Sequence, residues 1–111
     1  MEKQYKKYKI HDGVTLQVIS YTDEMMVAKL WFVGKDARGT HHHINQEIDT
    51  VLSGKFEAVN GDEKVILTTG ESVHIYNDNP HSLECLTPTG EIIACWSPAR
   101  KDIIEKYTEE E

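Results

Sequence analysis

The sequence predicts an all-β fold closed by one short helix, and three observations carry that reading. Apolar and β-branched residues alternate with polar ones in short runs, the period expected of half-buried strands. Turn residues recur between the runs, at Asp12-Gly13, Asn60-Gly61-Asp62, Thr69-Gly70 and Pro88-Thr89-Gly90. Only residues 99–107, with Ile103, Ile104 and Tyr107 on one side, read as helical. About eight short strands separated by turns belong to a sandwich or a barrel.

Residues 1–13 are rich in Lys and Tyr and read as an N-terminal arm, and a single domain is expected over 14–107. Residues 14–19 alternate as a first strand, and Thr22-Asp23-Glu24 turns into a longer one over 25–33. In that strand Ala28, Leu30 and Phe32 share one face, with Lys29 and Trp31 on the other. A loop over 34–39 leads to the histidines of 41–43. Strands follow over 48–52 and 55–59, joined at Ser53-Gly54, then over 64–67, 72–76, 82–86 and 91–96. Pro98 stops the last of these, and Glu109-Glu110-Glu111 reads as a frayed acidic tail.

Composition bounds the partners. Of the 111 residues, 39% are hydrophobic and 28% charged, with a net charge of −7. That charge argues against nucleic acid and anionic membrane as partners. No apolar run approaches the roughly 20 residues that span a bilayer, and the N-terminus does not read as a signal peptide. Cytoplasmic location is expected. Cys85 and Cys95 then read as reduced packing residues rather than a bridge.

The chemistry centres on His41-His42-His43 and on Glu47. In extended chain, side chains alternate, so His41 and His43 share a face and His42 points away. Two imidazoles and a nearby carboxylate suit zinc, nickel, manganese or iron. Asp49, two positions beyond Glu47, falls on the same face. An inward carboxylate there is either solvated at a wet barrel mouth or engaged on a ligand. His11 and His74 have no partner at ligand spacing and read as structural.

This arrangement resembles the first signature of the cupin family: His41-x-His43, three residues, Glu47, six residues, Gly54. The second signature is similar to Gly70 through His81, although Tyr76, Asp78 and Cys85 depart from the usual Pro, Gly and Asn. The resemblance implies a double-stranded β-helix, a jelly-roll barrel with a short C-terminal helix. It also implies one divalent transition metal held by His41, His43, Glu47 and His81. Small barrels of this kind commonly bury an edge against a second subunit, so a homodimer is expected.

The stretch Ala94-Cys95-Trp96-Ser97-Pro98-Ala99-Arg100 is similar to the closing segment of the cupins that act in pectin and alginate degradation, the KdgF type. That resemblance implies linearisation of 4,5-unsaturated monouronates, with Trp96 as the aromatic and Arg100 as the arginine. Ala94 stands where those proteins carry an Asp, and Asp49 is the carboxylate that replaces it in this reading. The expected ligand is a small anionic molecule, such as a carboxylated sugar. An iron-dependent dioxygenase and a non-catalytic sensing module remain the alternatives.

Overall fold

The computed structural model describes residues 4–34 and 43–111. Nine strands and one helix follow each other as β1 (Lys7–His11), β2 (Val14–Tyr21), β3 (Met26–Val33), β4 (Gln46–Ser53), β5 (Phe56–Asn60), β6 (Glu63–Leu67), β7 (Ser72–Ile75), β8 (His81–Cys85), β9 (Thr89–Ser97) and α1 (Lys101–Tyr107). Six strands form one sheet in the order β1-β2-β3-β9-β4-β7, and β6-β5-β8 form a second. Every ladder between the strands is antiparallel. The all-β architecture with a C-terminal helix is therefore as the sequence predicts.

Alternation does most of the folding. In β3 the side chains of Met26, Ala28, Leu30 and Phe32 are buried, while those between them are partly covered. Leu16, Leu30, Ile92 and Val51 of the larger sheet join Phe56, Ala58, Leu67 and Cys85 of the smaller in one core. Phe32 and Phe56 meet edge to face at 5.0 Å across it. β6 is the exception: only Leu67 is buried, and Val65 and Ile66 stay exposed on the outermost strand of the small sheet. Cys85 is buried and Cys95 half-buried, and both are free thiols.

The ends differ from expectation. Residues 7–11, read as part of a solvated arm, pair with β2 and place Ile10 against the core. The acidic tail is clasped rather than frayed. Tyr5 bridges Glu110, the backbone of Glu111 donates to Gln4, and Lys6 pairs with Glu109 at 3.0 Å. These contacts tie the end of α1 to the start of the chain. The Ser97-Pro98 bond is cis, and the helix begins only after Arg100. Among the described residues, no helix is long and apolar enough to cross a membrane.

Two turns explain signature positions. Gly54 has φ +84°, and a Cβ there would sit 2.7 Å from the Thr89 carbonyl oxygen, so both conformation and space call for glycine. Asp78, where the second signature usually has glycine, keeps the left-handed backbone at φ 57°. Asp tolerates that region better than most residues. Its amide donates to the His43 carbonyl at 2.7 Å, which ties this turn to the segment leading into β4.

The two loop glycines separate strain from crowding. Gly70 has φ +86° but nothing within 4 Å of a built Cβ. Gly70→Ala is expected to lower stability by about 1 kcal/mol through backbone strain alone. Gly54→Ala adds a backbone clash and is expected to lose about 2–3 kcal/mol. Urea denaturation of the two variants beside the parent checks the difference.

Candidate metal centre

The centre is assembled from β4, β8 and the segment leading into β4. Glu47, Asp49 and Val51 alternate inward along β4, whereas Ile48 turns outward and is 45% exposed. His81 opens β8 and is buried, and His43 precedes β4. His43, Glu47 and His81 bring one ligand atom each within 4.8 Å of one another. They line a cavity of about 430 Å³ together with Asp49, Trp96 and Arg100.

The hydrogen bonds fix how the imidazoles point. His43 Nδ1 lies 2.9 Å from the Asn45 carbonyl oxygen, and His81 Nδ1 lies 2.8 Å from that of Asn79. A carbonyl accepts, so each Nδ1 carries the proton and each Nε2 is left for a second partner. Both Nε2 atoms face the same oxygen, Glu47 Oε1, at 2.9 and 3.4 Å. Two neutral imidazoles of this tautomer present lone pairs to a carboxylate, which only an added proton on each ring or a shared cation reconciles. Two nitrogens and a carboxylate oxygen suit a divalent transition metal. The three donor atoms lie within 4.8 Å of one another, close enough to share one ion. The residues fit the metal.

Electrostatics without an ion point the same way. Burial would raise the Glu47 carboxyl, but hydrogen bonds with His43, His81 and Asp49 and the charge of His81 hold it well below its ordinary value of 4.5. Burial would lower His81, yet the Glu47 and Asn79 hydrogen bonds and the Glu47 charge raise it above 6.5, against a lowering influence from Arg100.

Asp49 is only 2% exposed and faces the cavity. Its partner across the β4–β9 ladder is Ala94. Trp96 lies directly opposite Glu47 in the same ladder, and its indole Nε1 donates to Glu47 Oε1 at 2.7 Å. Trp96, the aromatic of the closing segment, is thus also a hydrogen-bond donor to a candidate ligand. Arg100 stacks 5.4 Å from the Trp96 ring. Its Nε and Nη2 are engaged by the two oxygens of Asp102 at 3.2 and 2.7 Å. His41 and His42 lie outside the described residues.

Several cavity residues escaped the sequence reading. His11, read as structural, lines the mouth with Ile10, Lys106 and Tyr107. Asp102 and Lys106 stand four apart on α1, a helical spacing visible in the sequence, but nothing local showed that this stripe faces a cavity. His74 bonds to Gln46 on the far side of the sheet, away from the centre.

The fold and centre define the class, and sequence comparison agrees: the cupin domain profile matches residues 32–95. The chain belongs to the cupin family. Within it, the chain is 33% identical over 95 residues to the pectin degradation protein KdgF of Dickeya dadantii (strain 3937), covering 84% of this chain and 86% of that protein. Among solved structures, KdgF from Halomonas sp. superposes with a TM-score of 0.84 at 23% identity, over 88% of this chain and 90% of that one. An RmlC-like cupin from Shewanella frigidimarina NCIMB 400 gives 0.81 at 27% identity, over 90% and 89%.

The ion-pair arrangement of the metal-free protein sets a pH window. Glu47 is depressed, so its contribution is complete above 4.5 and disappears as pH falls through its folded value. His81 is raised, so its contribution is complete below 6.5 and disappears as pH rises through its folded value. Chelator-treated protein is therefore expected to be more stable to urea at about pH 5.5 than at about pH 8.5, and zinc is expected to restore stability at the higher pH. Glu47→Gln should flatten this profile.

Proposed function

We propose that the protein is a metal-dependent cupin enzyme that opens the ring of a small unsaturated uronate. The likeness to a pectin degradation protein supports the substrate class. The observation that carries the reaction is the placement of Asp49, buried beside His43, Glu47 and His81 and opposite Ala94. Directly opposed residues have Cβ atoms about 4.5–5.5 Å apart. A carboxylate on β4 therefore reaches the space that one on β9 at position 94 would fill.

His43, Glu47 and His81 hold the metal, with His41 as the fourth ligand implied by the family signature. When bound, the ion supplies Lewis acidity toward a substrate oxygen. Asp49 moves the proton. In a 4,5-unsaturated uronate, the C1 hydroxyl loses its proton as the bond from C1 to the ring oxygen breaks and a C1 carbonyl forms. The ring oxygen leaves as an enolate on C5, which becomes a ketone as C4 gains a proton. One carboxyl that takes the first proton and delivers the second suffices, and no oxidant is consumed. Arg100 retains its Nη1 edge among the described contacts, and that edge takes the substrate carboxylate. Trp96 forms the apolar wall beside the sugar ring.

We further propose a homodimer. The outward row of Ile48, Cys95 and Val27 crosses three neighbouring strands, and the four-residue β7 ends the sheet beside it. A second copy on this face covers both the apolar row and the edge. Light scattering at micromolar concentration is expected to report twice the chain mass, and a stable monomer contradicts the assignment.

Incubation with 4,5-unsaturated galacturonate is expected to abolish the ultraviolet absorbance of its conjugated alkene without oxygen uptake. Asp49→Asn should abolish turnover with metal content unchanged, and the exchange Asp49→Ala with Ala94→Asp should recover part of it. Failure of the exchange beside an active parent removes the positional equivalence. Arg100→Ala is expected mainly to raise KM, by the equivalent of about 1.5–3 kcal/mol for a charged hydrogen bond.

A further inference from the structure

We infer that Trp96 is a positioning residue for the metal: its indole N–H orients Glu47 and sets the affinity of the centre for a divalent ion. The inference rests on the metal-binding part of the proposed function but assigns a role that the reaction itself does not need.

Three observations place the indole. Trp96 and Glu47 are direct partners in the β4–β9 ladder, so backbone register alone brings the ring beside the carboxylate. The Nε1–Oε1 distance of 2.7 Å is short for a nitrogen donor, as expected when the acceptor is ionised. Trp96 is also flanked by a second strand and a cation. Met26, fully buried, is its partner in the β3–β9 ladder, and the Arg100 guanidinium lies over it at 5.4 Å. Indole carries a single donor and no acceptor, so the bond cannot invert.

Glu47 has one more rotatable side-chain bond than His43 or His81, and each imidazole is also fixed by a backbone carbonyl. The carboxylate needs its own restraint, and the indole supplies it from a different strand. A ligand held in its binding rotamer loses less conformational freedom when the ion arrives. Removing such a hydrogen-bond partner of a ligand typically weakens metal binding by about 10–100-fold.

The test uses zinc alone as the probe, with affinity read by competition against a chromophoric chelator, independently of any turnover. Trp96→Phe is expected to weaken zinc binding by about 10–100-fold. Because that change also alters packing, a second protein carries 3-benzothienylalanine at position 96. This analogue keeps the bicyclic shape and replaces the N–H by sulfur. It should show the same loss while the thermal unfolding midpoint of the metal-free protein stays near the parent's. Unchanged zinc affinity in the benzothienyl protein overturns the inference and leaves the metal site standing. A parent protein that binds no zinc, nickel, manganese or iron overturns both.

Discussion

A single carboxylate oxygen, Glu47 Oε1, is the point on which the site depends. It faces the Nε2 atoms of His43 and His81 and accepts from the Trp96 indole, so groups from β8, β9 and the segment before β4 converge on it. A buried carboxylate is costly unless it is paired and hydrogen-bonded. Its partners here are themselves fixed: both imidazoles by backbone carbonyls, and the indole by the register of its strand. The result is a hydrogen-bonded candidate donor set in a largely apolar barrel, an arrangement that would limit reorganisation on metal binding.

The β4–β9 ladder is what delivers this arrangement. It places Glu47 against Trp96 and Asp49 against Ala94, so the two carboxyl positions and their neighbours form a small block on the inner face. The same ladder turns Ile48 and Cys95 outward. A one-residue slip would exchange the two faces and remove both carboxylates from the cavity. Register here therefore shapes the candidate site as well as the core. The Asn45 side-chain amide reinforces it by donating to the Pro98 carbonyl at 2.7 Å, joining the start of β4 to the segment that carries Arg100.

The mouth of the cavity combines charges of both signs. Arg100 is held by Asp102, and Lys106 and His11 stand beside them. In a chain of net charge −7, this is a local cationic surface partly balanced by one carboxylate. α1 carries two of these groups, and the chain termini that clasp its end hold that helix in place.

The sequence by itself determined the strands from β2 to β9, the donor types and the glycine turns, because each is written in residues a few positions apart. His43 and Glu47 are four apart, Glu47 and Asp49 alternate onto one face, and Ser53-Gly54 marks a turn. His81 was legible only through the likeness of its surrounding segment to a known signature. Tertiary structure decided the rest. That Asp49 opposes Ala94, that Trp96 donates to Glu47, and that α1 presents Asp102 and Lys106 to the cavity all depend on which strands pair and in what register. Such pairings join residues about fifty positions apart and leave no local periodicity, since a strand's own alternation fixes its two faces but not its neighbour.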